Sequence, residues 1–270
     1  MISTISHAST HLYPTITALL STRKDKKYNR DRWTLQELDN WKDVELPQIL
    51  KRRVEKQDGC YLTVPELKLL MDWKLAKGKF RPMLPKLISA NLADDVERVT
   101  RTAMMMFVDG VCEFESLAGE SREKYTQLVK KAMVELCRLK GVGPATASLV
   151  LSLLWSVSAL SPPFFSDESF LYYVRPATKI KYNLKEYTDE YLPVFLGILE
   201  QEDEVTMNSL EKGGWALKML EIHRDGILKG VAVGPYEGFL DHYADKTRTT
   251  KKRKLVDDKV PTTKRKHAAS

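Results

Sequence analysis

Cysteine is scarce in this chain, with three in 270 residues. Cys60, Cys112 and Cys137 stand too far apart for a disulfide framework, a paired zinc-ligand motif or a four-cysteine iron–sulfur loop. Reduced, mostly buried thiols in an intracellular protein are therefore expected. No apolar run is long enough to cross a bilayer, so no membrane partner is expected. The first ten residues lack both a basic start and a continuous apolar core, which argues against a secretory leader. Strand-like alternation is too short to build a sheet, and no internal repeat stands out. His7, His11 and His242 have no metal-ligand partners at useful spacing, and His223 belongs near a helix end. No metal and no cofactor are expected.

A broad basic field is also missing from most of the chain. The net charge is +7, but the last 25 residues alone carry ten Lys or Arg against two Asp, or +8. Everything before them sums to −1. A nucleic-acid surface on the body must then come from local clustering rather than from overall charge.

A hydrophobic fraction of 43% is present, enough for the core of one large domain or two interlocked lobes plus tails. Residues 1–32, rich in Ser, Thr and charge, are expected to be mostly mobile, with a short helix over residues 15–20. From there to residue 244 the chain reads as a helical domain. Leu35, Leu38, Trp41, Leu46, Ile49 and Leu50 recur at helical spacing, interrupted by Pro47, which should break or kink the segment. Thr63-Val64-Pro65-Glu66 is a capping box opening a helix that should end near Gly78. Further helices are expected over residues 83–91, 94–108, 121–139 and 146–157. Another starts at Ser166-Asp167-Glu168-Ser169, and two more span residues 184–201 and 208–224. The expectation is an all-α fold with a disordered tail from residue 245.

Three local features carry chemistry. The first is Leu139-Lys140-Gly141-Val142-Gly143-Pro144-Ala145-Thr146-Ala147, a tight hairpin between two helices. Amides turned outward at the start of a helix form a small anion site, reinforced by the helix dipole. Lys140, Gly141, Val142, Gly143, Ala145 and Thr146 are the expected contacts to a DNA phosphate, the bland alternative being an ordinary helix–helix turn. The second is Trp73-Lys74-Leu75-Ala76-Lys77-Gly78-Lys79-Phe80-Arg81. Its cations Lys74, Lys77, Lys79 and Arg81, interleaved with aromatics, suit phosphate contacts. Equally, Trp73 and Leu75 could pack in the core while the cations are solvated at a helix C-terminus. The third is the tail, where basic clusters at residues 251–254 and 264–266 form a bipartite nuclear-localisation pattern or a generic basic tail. A nuclear import receptor is the expected partner of residues 251–266, and the nucleus the expected location.

The hairpin, with the Phe164-Phe165-Ser166-Asp167-Glu168 segment whose Asp167 lies 26 positions after Gly141, resembles the core of the helix-hairpin-helix DNA glycosylase superfamily. That resemblance covers about 50 residues. It implies an all-α, two-lobed fold, extrusion of a damaged base, and cleavage of its glycosidic bond. It also implies that Asp167, at the start of the next helix, is the catalytic carboxylate, where capping alone would equally explain an aspartate. Members that form a Schiff base carry a lysine where this chain has Ala145, so the resemblance implies at most a monofunctional enzyme. A second resemblance covers residues 60–225. Met71 to Pro82, the Leu-Lys-Gly-Val-Gly-Pro-Ala-Thr-Ala-Ser hairpin and Phe-Phe-Ser-Asp-Glu are similar to a eukaryotic family of fungi and animals, which implies a shared fold but no reaction. The expected function is a nuclear DNA-binding protein, as a glycosylase in base-excision repair or, alternatively, as a non-catalytic DNA- or partner-binding module. A third reading makes the hairpin a turn in a scaffold.

Overall fold

Pro14, Pro47 and Pro193 lie within long helical stretches, where a missing N–H and a ring clash with the carbonyl four residues back should stop the helix. In the computed structural model each is instead preceded by a widened π turn. These turns span Ala8–Leu12, Trp41–Glu45 and Glu186–Tyr191. In all three the residue just before the proline donates its amide to the carbonyl five residues back: Tyr13 to Ala8, Leu46 to Trp41 and Leu192 to Tyr187. The wider turn absorbs the proline, so Pro47 does not end its helix as expected.

The structure describes residues 2–23, 26–29, 31–57, 59–79, 81–114, 117, 119–174, 179–202 and 204–237. About 70% of the chain is helical, without strands among the described residues. The fold is all-α. Helices α1 (Ile2–His7) and α2 (Tyr13–Arg23) flank the first π turn; α3 (Leu35–Asn40) and α4 (Leu46–Glu55) flank the second. Then come α5 (Val64–Lys77), α6 (Leu84–Ser89), α7 (Ala93–Val111), α8 (Glu120–Leu136) and α9 (Pro144–Ser152). Helices α10 (Asp167–Tyr173), α11 (Leu192–Leu199) and α12 (Met207–His223) complete the set. Residues 1–231 form one unit. A second begins at Ala232, and its described part holds a single short turn, Gly234–Tyr236. The basic clusters of the tail and Phe80 lie outside the described residues.

Residues 2–23, expected to be mostly mobile, are helical, and Ile5, Ala8, Leu12, Tyr13, Ile16 and Leu20 are buried. The cause lies far downstream, in the last long helix. Helix α12 is buried around most of its circumference and carries Gly213-Gly214. A Cβ on Gly213 would collide with the Ile5 carbonyl, and one on Gly214 would meet the Tyr173 ring at 2.5 Å. The glycine pair thus lets α1 and α10 settle directly on α12. Apolar burial of the α1–α2 stretch outweighs its weak intrinsic pattern.

The capping box at α5 forms as read. Thr63 accepts from the Glu66 amide and Glu66 reaches back to the Thr63 amide. Arg53 then grips both Glu66 carboxylate oxygens at 2.9 Å, tying α4 to the start of α5. Helix α9 is buried on every side from Ala145 to Ser152, which makes it a central strut. Its far end tightens into a 3₁₀ turn, Leu153–Ser156, packed against α4.

Candidate functional site

The hairpin between α8 and α9 is rigidly held. Gly141 has φ +80°, and a Cβ there would press against Leu87 Cβ at 3.0 Å, so both the backbone and α6 demand glycine. Asn91 clamps the peptide groups of Lys140 in both directions: its Oδ1 accepts from the Lys140 amide at 2.8 Å, and its Nδ2 donates to the Lys140 carbonyl at 2.9 Å. The Gly143 carbonyl accepts from the amides of Thr146 and Ala147, starting α9. Gly143 itself is extended and exposed, with nothing within 4 Å of a Cβ built on it.

Three of the expected phosphate contacts at the hairpin are turned inward. Val142 and Ala145 are buried. Thr146 is also buried, and its Oγ1 accepts from Lys74 Nζ at 2.7 Å. The Lys140 amide is spent on Asn91, while its side chain is exposed. The outward-facing part of the hairpin is Lys140, the backbone of Gly141 and Gly143, and the half-buried Pro144.

The Trp73–Arg81 cluster divides. Trp73 is buried, its Nε1 donating to Asp39 at 2.7 Å. Lys77, expected at a phosphate, is instead an interior group with a side chain 6% exposed. Its ammonium lies 3.7 Å from the Tyr13 ring centre and 4.0 Å from that of Trp215, donates to the Tyr13 hydroxyl, and pairs with Asp39 at 3.4 Å. Burial lowers its pKa, with Asp39 and Asp43 opposing the shift. Asp43 in turn receives Lys42 at 2.7 Å and Lys212 at 2.9 Å. Burial pushes its carboxyl up, but these two lysines outweigh it and hold the group well below the usual carboxylate range. The charges that seemed free in the sequence are consumed by partners from distant segments. Lys79 and Arg81 remain exposed, the Arg81 guanidinium lying 5.0 Å from the centre of the Tyr182 ring.

Lys74 follows neither pattern. It is half-buried, and burial pushes its ammonium down to about 8, against the pull of Asp167.

Asp167 occupies the first turn of α10, beside the capping residue Ser166. Ser166 makes no side-chain cap. Its hydroxyl donates to Glu211 on α12. The Asp167 Oδ2 accepts from the Tyr182 hydroxyl at 2.7 Å. Burial raises the Tyr182 pKa, and the bond to Asp167 adds to it. Next along the chain, burial and then the neighbouring Asp167 push the Glu168 carboxyl up to about 7. Burial likewise raises Glu211, against the bond from Ser166.

These groups share one cavity of about 270 Å³, near the lower end of the roughly 300–1,000 Å³ typical of small-molecule pockets. Gly141, Gly143, Ala145 and Thr146 from the hairpin and Asp167 and Glu168 from the start of α10 all line it. Lys74, Lys79 and Arg81 enter from α5 and the segment after it, and Trp73, Phe164 and Trp215 supply aromatic surface. Phe164 and Phe165 do not fill the space. Phe164 leans on Trp73 at 5.8 Å, and Phe165 turns into the core to stack on Tyr191 at 5.4 Å. The structure thus brings together the hairpin, part of the basic cluster and Asp167. Sequence reasoning missed Asn91, Glu168, Tyr182, Glu211 and Trp215. Only Glu168 carried a local signal, as the second acid of the α10 first turn.

Among the described residues no group of three or more His, Cys, Asp or Glu could hold a metal ion, and no helix is long and apolar enough to cross a membrane. Compared with known proteins, the chain matches no family model, no curated protein and no solved structure.

Proposed function

We propose that this chain is a nuclear DNA-binding protein of the helix-hairpin-helix glycosylase type. It holds the duplex backbone at the hairpin and admits an extruded base to the adjoining cavity, where the glycosidic bond is cut. One observation carries this reading: the hairpin wall and the Asp167 carboxylate line the same aromatic-sided cavity. A base needs such a space once it leaves the stack, and aromatic or apolar walls hold it there. The backbone of the half-buried Gly141 and the exposed Gly143 offers the anion contact, supported by Lys140, Lys79 and Arg81. Two basic clusters at residues 251–254 and 264–266 fit an import receptor and hence the nucleus.

In the proposed reaction the C1′–N bond breaks with both electrons leaving on the base, and positive charge builds on the sugar. Asp167 faces that charge as a fixed carboxylate. Glu168, with its carboxyl near 7, supplies the proton taken up by the departing base. Water adds at C1′ and gives its proton to Asp167, leaving a free base and an abasic sugar.

The test is a base-release screen over duplexes carrying damaged bases, with wild type beside Asp167→Asn. Release by the wild type that falls at least a hundredfold in the variant, with duplex binding retained, supports the enzyme. A full-length chain whose duplex affinity is indifferent to Gly143→Glu would be binding through its tail, which overturns the hairpin reading. The second reading is a non-catalytic module gripping DNA through the same surface. It is favoured by the Tyr182 hydroxyl, which already occupies one oxygen of Asp167. Tight, salt-dependent binding without release from any duplex is its signature.

A further inference from the structure

Beside the hairpin lies an apolar patch that the proposed reaction does not use. Met83 is 62% exposed, Leu87 42% and Leu92 70%. Among the described residues no other stretch of ten holds more than two large apolar side chains so exposed. Met83 stands at the N-cap of α6 with Leu87 four residues on, and Leu92 is the N-cap of α7. The patch is firmly seated. Ile88 is buried, Leu87 abuts Gly141, and Asn91 Nδ2 donates to the Ile88 carbonyl at 3.0 Å as well as to that of Lys140. A preformed surface of this kind loses little freedom on binding.

Charge decides what covers it. Lys86 is exposed on α6 between Met83 and Leu87, Lys79 and Arg81 are exposed just ahead of the helix, and Lys140 is exposed where Asn91 clamps its peptide groups. Lys79, Lys86 and Lys140 have no ion pair among the described residues. Beyond Leu92 stand Asp94, which is exposed, and Asp95, which Arg98 holds at 2.8 Å. The edge towards the hairpin is therefore positive and unneutralised. Phosphates would satisfy its cations but offer nothing to Met83 and Leu92, which apolar side chains of DNA-bound proteins resolve only by unstacking bases. An amphipathic helix offers both, an apolar stripe spaced at i and i+4 and carboxylates along its flank. Methionine, unbranched and adaptable, suits such a contact.

We infer that α6 and the turn into α7 form a docking site for an acidic amphipathic helix of a partner protein. Lys140 would serve that helix and, on the proposed function, a DNA phosphate as well, so partner and duplex exclude one another. The exclusion rests on the proposed function; the docking does not.

The probe is a fluorescein-labelled synthetic helix of about sixteen residues, with leucines at i, i+4 and i+7 and glutamates along the flank. A scrambled peptide of the same composition keeps the charge without the stripe, so it registers any binding to the basic tail. Anisotropy titrations use the full-length chain, the double variant Met83→Ser with Leu92→Ser, and Lys86→Glu. All three positions are exposed, and thermal melting checks that the variants are folded. The designed peptide is expected to bind wild type roughly tenfold tighter than the scrambled one, and each variant to lose most of that margin. Unlabelled duplex is then expected to displace the peptide. Equal binding of the two peptides, or a margin that survives in the serine variant, overturns the inference. So does a duplex affinity that falls roughly tenfold in the serine variant, which makes the patch a DNA surface. A dimer that the same variant breaks gives the patch to a second copy and overturns it too. Duplex that binds alongside the peptide overturns the exclusion alone. Absence of any duplex binding sinks the proposed function and leaves the docking site standing.

Discussion

The Tyr182 hydroxyl donates to Asp167 Oδ2 at 2.7 Å, across fifteen residues of chain, and fixes which way the carboxylate faces. The residue doing so has φ +58°, a backbone state that costs a non-glycine residue free energy and that the surrounding fold must impose. Tyr182→Phe frees Asp167 to turn. Base release is expected to fall about tenfold, the equivalent of about 1.4 kcal/mol in the barrier, with duplex affinity little changed. Single-turnover rates alongside binding titrations check it.

The two hairpin glycines should separate fold from function. Gly141→Ala meets both the left-handed backbone and the Leu87 side chain, at a cost of about 1–3 kcal/mol, and should lower Tm by several degrees. Gly143→Glu has open space and an extended backbone, so Tm should hold. A carboxylate placed where phosphate is expected should nevertheless weaken duplex binding more than tenfold, most strongly at low salt. Melting curves and anisotropy titrations on the same two proteins decide the matter.

Two cavity groups give stability a pH signature. Glu168, raised from an ordinary 4.5 to about 7, holds a proton in the fold that the unfolded chain releases, so its contribution is complete below 4.5 and lost as pH rises through 7. Asp167, Glu211 and Lys77 are the charges facing it. Glu168→Gln should gain stability over wild type between pH 4.5 and 7, then keep a constant lead. Lys74, lowered from 10.5 to about 8 with Asp167 and Arg81 facing it, runs the other way. Its charged form is penalised below pH 8, and the penalty fades towards 10.5. The lead of Lys74→Met over wild type should therefore shrink across that upper window. Denaturant titrations at stepped pH measure both.

Gly213→Ala tests the seat of the N-terminal helices. A methyl group in the path of the Ile5 carbonyl should cost about 1–3 kcal/mol and loosen α1. Limited proteolysis should then cut ahead of Tyr13 in the variant and spare the wild type.

Much of the fold was legible where the cause is local. The Thr63–Glu66 box, the glycine turn before Pro144 and the acidic start of α10 each depend on a few neighbouring residues, and each is present. What escaped depends on distant partners. Nothing within residues 71–82 says that Lys77 will be caged while Lys79 stays in water, because Asp39, Tyr13 and Trp215 arrive from other helices. The order of residues 2–23 likewise depends on a glycine pair near the other end of the domain. In the cavity, Asp167 could be picked out as a helix-starting acid, but Tyr182 and Glu211, which surround it, carry no mark of their own in the sequence.

The widened turns before the prolines also set the phase of the helices they lead into. A π turn holds one more residue than the α turn it replaces, which rotates everything downstream by about 100°. Ile5 faces the core before the first such turn, Ala8 and Leu12 face it within the turn, and Tyr13, Ile16 and Leu20 face it afterwards. Removing a single residue between Ala8 and Leu12 would leave an acceptable helix by composition, yet swing Tyr13 out of the cavity wall. Lys77 would lose the ring and hydroxyl that now hold its charge. Helix length is thus coupled to the site, because a one-residue insertion sets which side chains reach it.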